Sequence, residues 1–236
     1  MVVLETSDLG RRLSKPVGMP RPKRSVKESR DRFPGWLRLG NLYNKCPSPE
    51  HEAIFLTLFH TGCRVSEAIE LRRDQVAYNE SAVYVYAAPV LKHKKKANRE
   101  IMIPHNPSNP LFPKFLEYLD RGLETEGGGH VKPTYLLPAY EKFTHSLVLD
   151  RHTTRSTVYV KLSQIDPDLY PHQLRGWCAG MLAEEHDLNA FDLMTWFNWK
   201  TADMASHYAR TRERALEVKL GIAEAPKLRT KEETEA

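Results

Sequence analysis

The first long stretch with a helical spacing of apolar residues begins close to residue 48. A helix is predicted to start at Ser48-Pro49, because serine suits the N-cap and proline suits the first turn. Its apolar positions continue to Gly62, which is typical of a helix end. A second, short helix is predicted over Val65–Leu71, since its apolar residues share one face. The first block therefore consists of two helices joined by a glycine turn.

The spacing of apolar residues changes beyond residue 80. Ala82–Tyr86 and Glu100–Ile103 are short runs rich in β-branched and aromatic residues, which is typical of strands. Between them, Lys92–Lys96 contains a histidine among lysines. The two runs predict an antiparallel hairpin with a strongly basic tip.

Helical spacing returns towards the C-terminus. Leu111–Leu123 predicts a helix before a break at Gly127–Gly129, and Tyr135–Pro138 is predicted to be extended. The helices expected after residue 152 are Thr154–Ile165, His172–His186, Ala190–Phe197, Ala202–Tyr208 and a charged final helix to Leu220. The predicted fold class is mainly α with one small antiparallel β-sheet.

The first 47 residues differ from the rest of the chain. They are rich in proline and basic residues and show little helical periodicity, which predicts a basic N-terminal arm or remnant. One domain is expected over residues 48–220, followed by a charged tail over 221–236. The length of 236 residues, with 41% hydrophobic residues, suffices for one sizeable core.

Charge and cysteine content narrow the class of partner and the compartment. The formal net charge is +5, and basic residues cluster in the N-terminal arm and in Lys92–Arg99. Such clusters favour a polyanion, because each contact with a phosphate releases counterions, although a basic soluble surface has the same composition. The three cysteines show neither metal-ligand spacing nor a disulfide framework, and no apolar run has the length of a membrane span. We expect a cytoplasmic protein without a membrane partner.

Three polar side chains are candidates for binding an anion. Arg64 lies in the segment Thr-Gly-Cys-Arg-Val-Ser-Glu, and an arginine fork binds phosphate oxygens in pairs. The alternative is a surface arginine paired with Glu67 one turn later. His172 and Arg175 are spaced to share one face near a helix N-terminus, where the helix dipole favours an anion. Here the alternatives are a capping histidine and a solvated arginine.

Two aromatic residues near the end complete the pattern. Trp199 and Tyr208, taken singly, are more often core residues, but their order and spacing after Arg175 are informative. Together with Arg64 and His172, they resemble the catalytic domain of tyrosine recombinases. This phage-type integrase family includes lambda integrase and the Cre and Xer recombinases.

The resemblance depends on three ordered motifs. Residues 61–67 match the family's first box, Thr-Gly-x-Arg-hydrophobic-Ser-Glu, and residues 172–175 match its second, His-x-Leu-Arg. Phe197-Asn198-Trp199 replaces the Leu-Gly-His that precedes the family's tyrosine, a departure that the family tolerates. This replacement implies that Trp199 donates a hydrogen bond and packs against the helix of the nucleophile but takes no part in proton transfer. The resemblance covers about residues 48–220 and implies the DNA breaking-rejoining fold.

The family also uses a lysine on the turn between two strands. Lys96–Pro104 keeps the family's length for this segment, so Lys96 is the predicted catalytic lysine, and its neighbours in the loop remain alternatives. The residues expected to contact the DNA backbone are Lys92, Lys94, Lys95 and Arg99.

The resemblance and charge considerations together imply a mechanism. Tyr208 attacks the scissile phosphate, forms a 3′-phosphotyrosyl link and expels a 5′-hydroxyl. Arg64 and Arg175 neutralise the non-bridging oxygens, His172 assists proton movement or donates to the phosphate, and Lys96 protonates the leaving oxygen. No metal or nucleotide cofactor is implied, since the covalent link preserves the energy of the phosphodiester.

The implied partners are double-stranded DNA and further copies of the chain. In the family, a helix after the tyrosine packs on a neighbouring protomer in a tetramer on two duplexes, with folding back in cis as the alternative here. Residues 1–47 are too short for the separate core-binding domain of most relatives, so we expect a minimal recombinase or a fragment. The activity implied is DNA recombination and integration, typical of mobile genetic elements. The alternatives are a DNA-binding relative with weak catalysis and a type IB topoisomerase.

Overall fold

The computed structural model describes residues 33–90, 97–125, 127–141, 144 and 146–209. Over these ranges the helices are α1 (Trp36–Tyr43), α2 (Pro49–Thr61), α3 (Val65–Ala68), α4 (Phe112–Arg121), α5 (Arg155–Ile165), α6 (Pro171–Glu185), α7 (Ala190–Phe197) and α8 (Ala202–Ala209). The strands are β1 (Val76–Tyr78), β2 (Ala82–Val90), β3 (Ala97–Pro104), β4 (Leu123–Glu124), β5 (His130–Val131), β6 (Pro138–Tyr140) and β7 (Leu147–His152).

Helix α2 is the centre of the core. Nearly all of its residues are buried, because it packs against α4, α5 and α6 on different sides. It begins after Ser48 with a proline in its first turn and ends at Gly62, whose φ of 54° is left-handed. Both ends confirm the predicted limits. The end of α2 is therefore held firmly, and the first motif follows directly after it.

The predicted hairpin is confirmed as part of a three-stranded antiparallel sheet in the order β1-β2-β3. Val85 pairs with Ile101, and the register shifts between Val85 and Ala88, so β2 contains an irregularity. The side chains of Val83, Val85, Ile101 and Ile103 are buried in the core. The basic tip, with Lys92, Lys94, Lys95 and Lys96, lies outside the described residues.

Helix α1 corrects the predicted N-terminal arm. Residues 1–47 were assigned to a basic arm or remnant with little helical periodicity, yet Trp36–Tyr43 is helical and buries Leu39 and Leu42 in the core. The apolar residues at 36, 39 and 42 have helical spacing, a signal that the surrounding basic and proline residues obscure. The folded domain therefore extends to the N-terminal side of residue 48.

The described residues form more antiparallel sheets than the single small one that the sequence predicted. Two further two-stranded sheets are present, β4 with β5 and β6 with β7. The glycine break at 127–129 lies in the connection between β4 and β5, and β7 forms by pairing Leu147 with Tyr140. Within the part of the chain that the structure describes, every helix is too short or too polar to cross a bilayer. The described domain is mainly helical with small antiparallel sheets at its surface.

Candidate active site

The first motif forms a turn between α2 and α3 that is built around a buried carboxylate. Arg64 is extended, with φ −65° and ψ 150°, and serves as the N-cap of α3. Glu67 accepts from the Arg64 backbone N–H at 3.0 Å and from Arg64 Nη1 at 2.8 Å, through its two different oxygens. The Glu67 side chain is 1% exposed and that of Arg64 is 28% exposed. The Glu67 carboxylate thus holds the Arg64 side chain in place, while part of that side chain remains exposed to solvent.

Arg175 joins this turn to the end of α7. Helix α6 begins with Pro171, and Arg175 follows in its second turn with only 2% of its surface exposed. Its Nη2 donates to the carbonyl of Phe197 at 3.0 Å, and its Nη1 donates to the carbonyl of Gly62. The guanidinium carbon lies 4.7 Å from the ring centre of Phe197 and 5.6 Å from that of Trp199. The alternative of a solvated arginine is therefore incorrect.

The environment of Arg175 is unusually rich in positive charge. Burial lowers the pKa of Arg175 to about 10, and the nearby guanidinium groups of Arg99 and Arg64 act in the same direction. The Glu67 carboxylate opposes this shift. Arg175 still carries its proton at pH 7, because that pH lies well below 10. Arg64 and Arg99 therefore contact one buried carboxylate, and Arg175 interacts with it electrostatically.

A stack of three aromatic rings leads from Arg175 to Tyr208. The rings of Phe197 and Trp199 lie 4.6 Å apart at 18°, and those of Trp199 and Tyr208 lie 5.6 Å apart at 15°. Asn198, between Phe197 and Trp199 in the sequence, has a left-handed φ of 50°, which turns the chain from α7 towards α8. Tyr208 is only 6% exposed. The tyrosine on α8 is thus linked to Arg175 through Trp199.

The remaining predicted residues lie in different surroundings. His172 is exposed in the first turn of α6, one helical turn before Arg175. The four lysines of the hairpin tip, Lys92, Lys94, Lys95 and Lys96, lie outside the described residues. The structure therefore brings Arg64, Arg175, Trp199 and Tyr208 into one region, with His172 at the start of the helix that carries Arg175.

Arg99 is oriented inward, although the sequence predicted a contact with the DNA backbone. Its side chain is 9% exposed, its Nη2 lies 4.0 Å from Glu67 Oε2, and its Nη1 donates to the carbonyl of Trp196. The period of two in β3 contains the signal for this orientation, because Arg99 alternates in step with the buried Ile101 and Ile103. Sequence reasoning overlooked that signal; it offered Glu67 as a partner of Arg64, a pair that the structure contains, but not as a partner of Arg99.

The match to a known family is consistent with these motifs. Residues 38–214 match the model of the phage integrase family. The chain belongs to this family. The match confirms the resemblance to tyrosine recombinases, and it includes the described residues of both motifs and of the aromatic stack.

Solved structures show which fold this phage integrase family member has. XerH recombinase bound to its difH substrate before cleavage is 15% identical, with a TM-score of 0.52. That match covers 83% of this chain and 56% of XerH, so the chain spans little more than half of that recombinase. XerA recombinase is 15% identical with a TM-score of 0.53, over 87% of this chain and 68% of XerA. The predicted tyrosine recombinase catalytic fold is confirmed.

A search among curated proteins gave no match to this family member. The site itself therefore indicates what chemistry is available. With Arg64, Arg99 and Arg175 charged and Glu67 ionised, the region has a formal excess of two positive charges. In a partly desolvated site such an excess favours a bound anion with several acceptor oxygens.

Proposed function

We propose that this phage integrase family member is a site-specific DNA recombinase that cuts and rejoins strands through a 3′-phosphotyrosyl link at Tyr208. The observation that carries the proposal is the convergence of the family's motif residues. Arg64 follows α2, Arg175 lies on α6 and Tyr208 lies on α8, yet Arg175 is charge-coupled to Arg64 and lies against the ring on which Tyr208 stacks. This proximity supports one phosphate as the shared target of the Tyr208 phenol and the two guanidinium groups.

The excess of positive charge supports a phosphodiester as the substrate group. A phosphodiester carries one negative charge, and further charge accumulates on its non-bridging oxygens when a nucleophile adds to phosphorus. Arginines that are already oriented by Glu67 and by backbone carbonyls stabilise that state more than the ground state, because they need little reorganisation. Arg64 and Arg175 are the proposed ligands of these oxygens.

In the proposed reaction, Tyr208 Oη forms a bond to phosphorus and the bond from phosphorus to the 5′-oxygen breaks. The leaving oxygen takes a proton, for which Lys96 is the proposed donor. His172 is placed at the N-terminus of α6, where it donates to the phosphate or assists the proton of the phenol. Attack by the 5′-hydroxyl of a partner strand reverses the chemistry and completes the exchange, without a requirement for a metal or a nucleotide.

Double-stranded DNA is the proposed partner. The related XerH structure contains its difH substrate, and the lysines of the hairpin, Lys92, Lys94 and Lys95, would add sequence-independent contacts to the backbone. We also propose assembly into a tetramer on two duplexes through the segment after Tyr208, as the family resemblance implies.

A covalent adduct provides the direct test. The protein is incubated with a pool of nicked duplexes of randomised sequence, and adducts that survive denaturation are isolated and sequenced. The wild type should form an adduct, Tyr208→Phe should form none, and Tyr159→Phe, at an exposed tyrosine of α5, should match the wild type. The absence of any wild-type adduct across the pool would contradict the proposal. Strand exchange between two selected duplexes supports recombination, whereas relaxation of supercoils without exchange would instead indicate a topoisomerase.

A further inference from the structure

Arg99 occupies an unusual place for a residue close to a basic hairpin tip. It lies on β3 in register with Ala88 of β2, beyond the irregularity that follows Val85. Its side chain is directed to the buried side of the sheet, the side on which Ile101 and Ile103 enter the core. Since strands present alternate residues to opposite faces, this orientation is set by the same alternation that buries the two isoleucines.

The guanidinium of Arg99 connects β3 with two other parts of the site. Nη2 donates to Cys63 Sγ at 3.5 Å and lies 4.0 Å from Glu67 Oε2, so it reaches the turn of the first motif. Nη1 donates to the carbonyl of Trp196, in the last turn of α7. One planar fork thus holds the Arg64 turn and the helix end that leads to the aromatic stack.

Glu67 therefore has two cationic neighbours with different surroundings. Arg64, 28% exposed, bonds to Oε1, whereas Arg99, 9% exposed, approaches Oε2. A buried carboxylate that loses its only counter-charge is strongly destabilised. When Arg64 redirects its donors to a phosphate, Arg99 remains to neutralise Glu67. The second cation thus removes a penalty that would otherwise oppose substrate binding by Arg64.

We propose that Arg99 is a positioning residue, which neutralises Glu67 and fixes the Trp196 carbonyl so that Arg64 can engage the scissile phosphate. This inference rests on the proposed recombinase function. Because Arg99 lies three residues after Lys96 in the sequence, it also anchors the strand that follows the proposed catalytic lysine. Its contribution is to the rate of cleavage, with little contribution to the affinity for DNA.

The competing role is the contact with the DNA backbone that the sequence predicted. The two roles differ in their dependence on salt, since each lost phosphate contact reduces the slope of log affinity against log salt by about one. Loss of a positioning residue leaves this slope unchanged and lowers the cleavage rate. Measuring both quantities on one variant therefore separates the two roles.

The test compares Arg99→Gln, Arg99→Lys and Lys114→Gln, the last being a control at an exposed cation of α4. Affinity for a selected duplex is measured across salt concentrations, and single-turnover cleavage is measured on the nicked form of the same duplex. Arg99→Gln should cleave about 100-fold more slowly, with its affinity within about threefold of the wild type and its salt slope unchanged. Arg99→Lys keeps the charge without the fork and should be intermediate, and Lys114→Gln should match the wild type.

A second variant distinguishes positioning from a general loss of structure. Glu67→Gln removes the buried charge that Arg99 neutralises, so its effect on cleavage should be less than additive with that of Arg99→Gln. Additive effects, an unchanged cleavage rate, or a salt slope reduced by about one would each overturn the inference. If Arg99→Gln fails to fold, the same comparisons on Arg99→Lys decide the matter. A wild type that forms no adduct would contradict the proposed function itself, which is a separate outcome.

Discussion

The candidate site has two halves: the Arg64 half, at the turn between α2 and α3, and the Tyr208 half, the stack of Phe197, Trp199 and Tyr208. The two halves are stabilised by different interactions and are exposed to different degrees. The Arg64 half is fixed by hydrogen bonds to a buried carboxylate, and its guanidinium is partly open to solvent. The Tyr208 half is fixed by stacked rings and is almost fully covered. Under the proposed function, the partly exposed Arg64 would be accessible to a phosphate in this structure, whereas the buried Tyr208 would first have to become accessible. Capture of the phosphate and attack on it would then be separate steps.

The largest expected effect is the difference in unfolding free energy between replacing Arg175 and replacing Arg64. Arg175→Ala removes a buried cation and leaves the carbonyls of Gly62 and Phe197 without this donor, so unfolding should become easier by about 4 kcal/mol. Arg64→Ala removes a group that is more than a quarter exposed, and Arg99 still faces Glu67, so its cost should be about 1 kcal/mol. Urea unfolding measures both, and both variants should lose cleavage. Equal losses of unfolding free energy in the two variants would show that the two arginines contribute equally to stability.

Acidification tests the support beneath the Arg64 half. His60 lies on α2 one residue before its last position, and burial lowers the pKa of His60 to about 4. The unfolded chain takes up a proton near pH 6.5 while the native state stays neutral, so stability is greatest above 6.5 and falls between pH 6.5 and pH 4. The expected loss from His60 alone is at most about 3 kcal/mol, and this contribution is complete by about pH 4. Urea unfolding at several pH values in this window measures it.

The matched variant for this prediction is His60→Gln, which keeps a hydrogen-bonding group. Its pH dependence should be shallower than that of the wild type but not absent, because burial also lowers the pKa of His51 and His186. An identical slope in the variant would assign the acid sensitivity to other groups.

The contact between the two halves is tested at Gly62. Its φ is left-handed, and a Cβ there would lie 2.5 Å from Phe197 Cε1 and 3.0 Å from Cys178 Sγ. Gly62→Ala should therefore destabilise the fold by about 2 kcal/mol and reduce cleavage, since both the turn and the ring must shift. The control is Gly40→Ala in α1, where a Cβ meets no atom within 4 Å. That change should stabilise by about 0.5 kcal/mol, because alanine favours helix more than glycine does. Thermal unfolding of both variants gives the comparison.

The smallest expected effect concerns the covering of Tyr208. Trp199→Ala removes the middle ring of the stack, so Tyr208 should become reactive to a tyrosine-nitrating reagent in the absence of DNA. Trp199→Phe keeps a stacking ring and should stay protected, and Tyr208→Phe identifies the reactive position. Unchanged reactivity in Trp199→Ala would place the cover elsewhere.

Much of the fold was predictable because its signals are local. The limits of α2 follow from a serine, a proline and a glycine, and the predicted α7 agrees with the structure from Ala190 to Phe197. Helix α1 was missed because its short apolar face lies next to a segment rich in proline and basic residues. Strand β7 was missed because its apolar run is only three residues long and the strand forms through pairing with β6. Such pairing depends on contacts that a sequence window does not contain.

The sequence motifs named the candidate residues, but they did not give the geometry of the site. The motifs identified Arg64, Arg175 and Tyr208, but the spacing alone left open whether Arg175 is solvated. Its burial results from the packing of α6 between the ends of α2 and α7, which is tertiary information. The inward direction of Arg99 was available from the alternation in β3, whereas its approach to Glu67 was not. Partners far apart in sequence are assigned only by the fold.

Because buried arginines of the site donate to backbone carbonyls, substitutions at the acceptor positions differ in effect from substitutions of the arginines. Arg175 bonds to the carbonyls of residues 62 and 197, and Arg99 bonds to that of residue 196, so these acceptors are main-chain atoms. A mutation at position 196 or 197 alters the side chain and leaves the oxygen in place. The donors have no such freedom, because only arginine supplies the fork. Substitution at position 196 therefore keeps the acceptor of Arg99, whereas substitution at position 99 removes the donor fork.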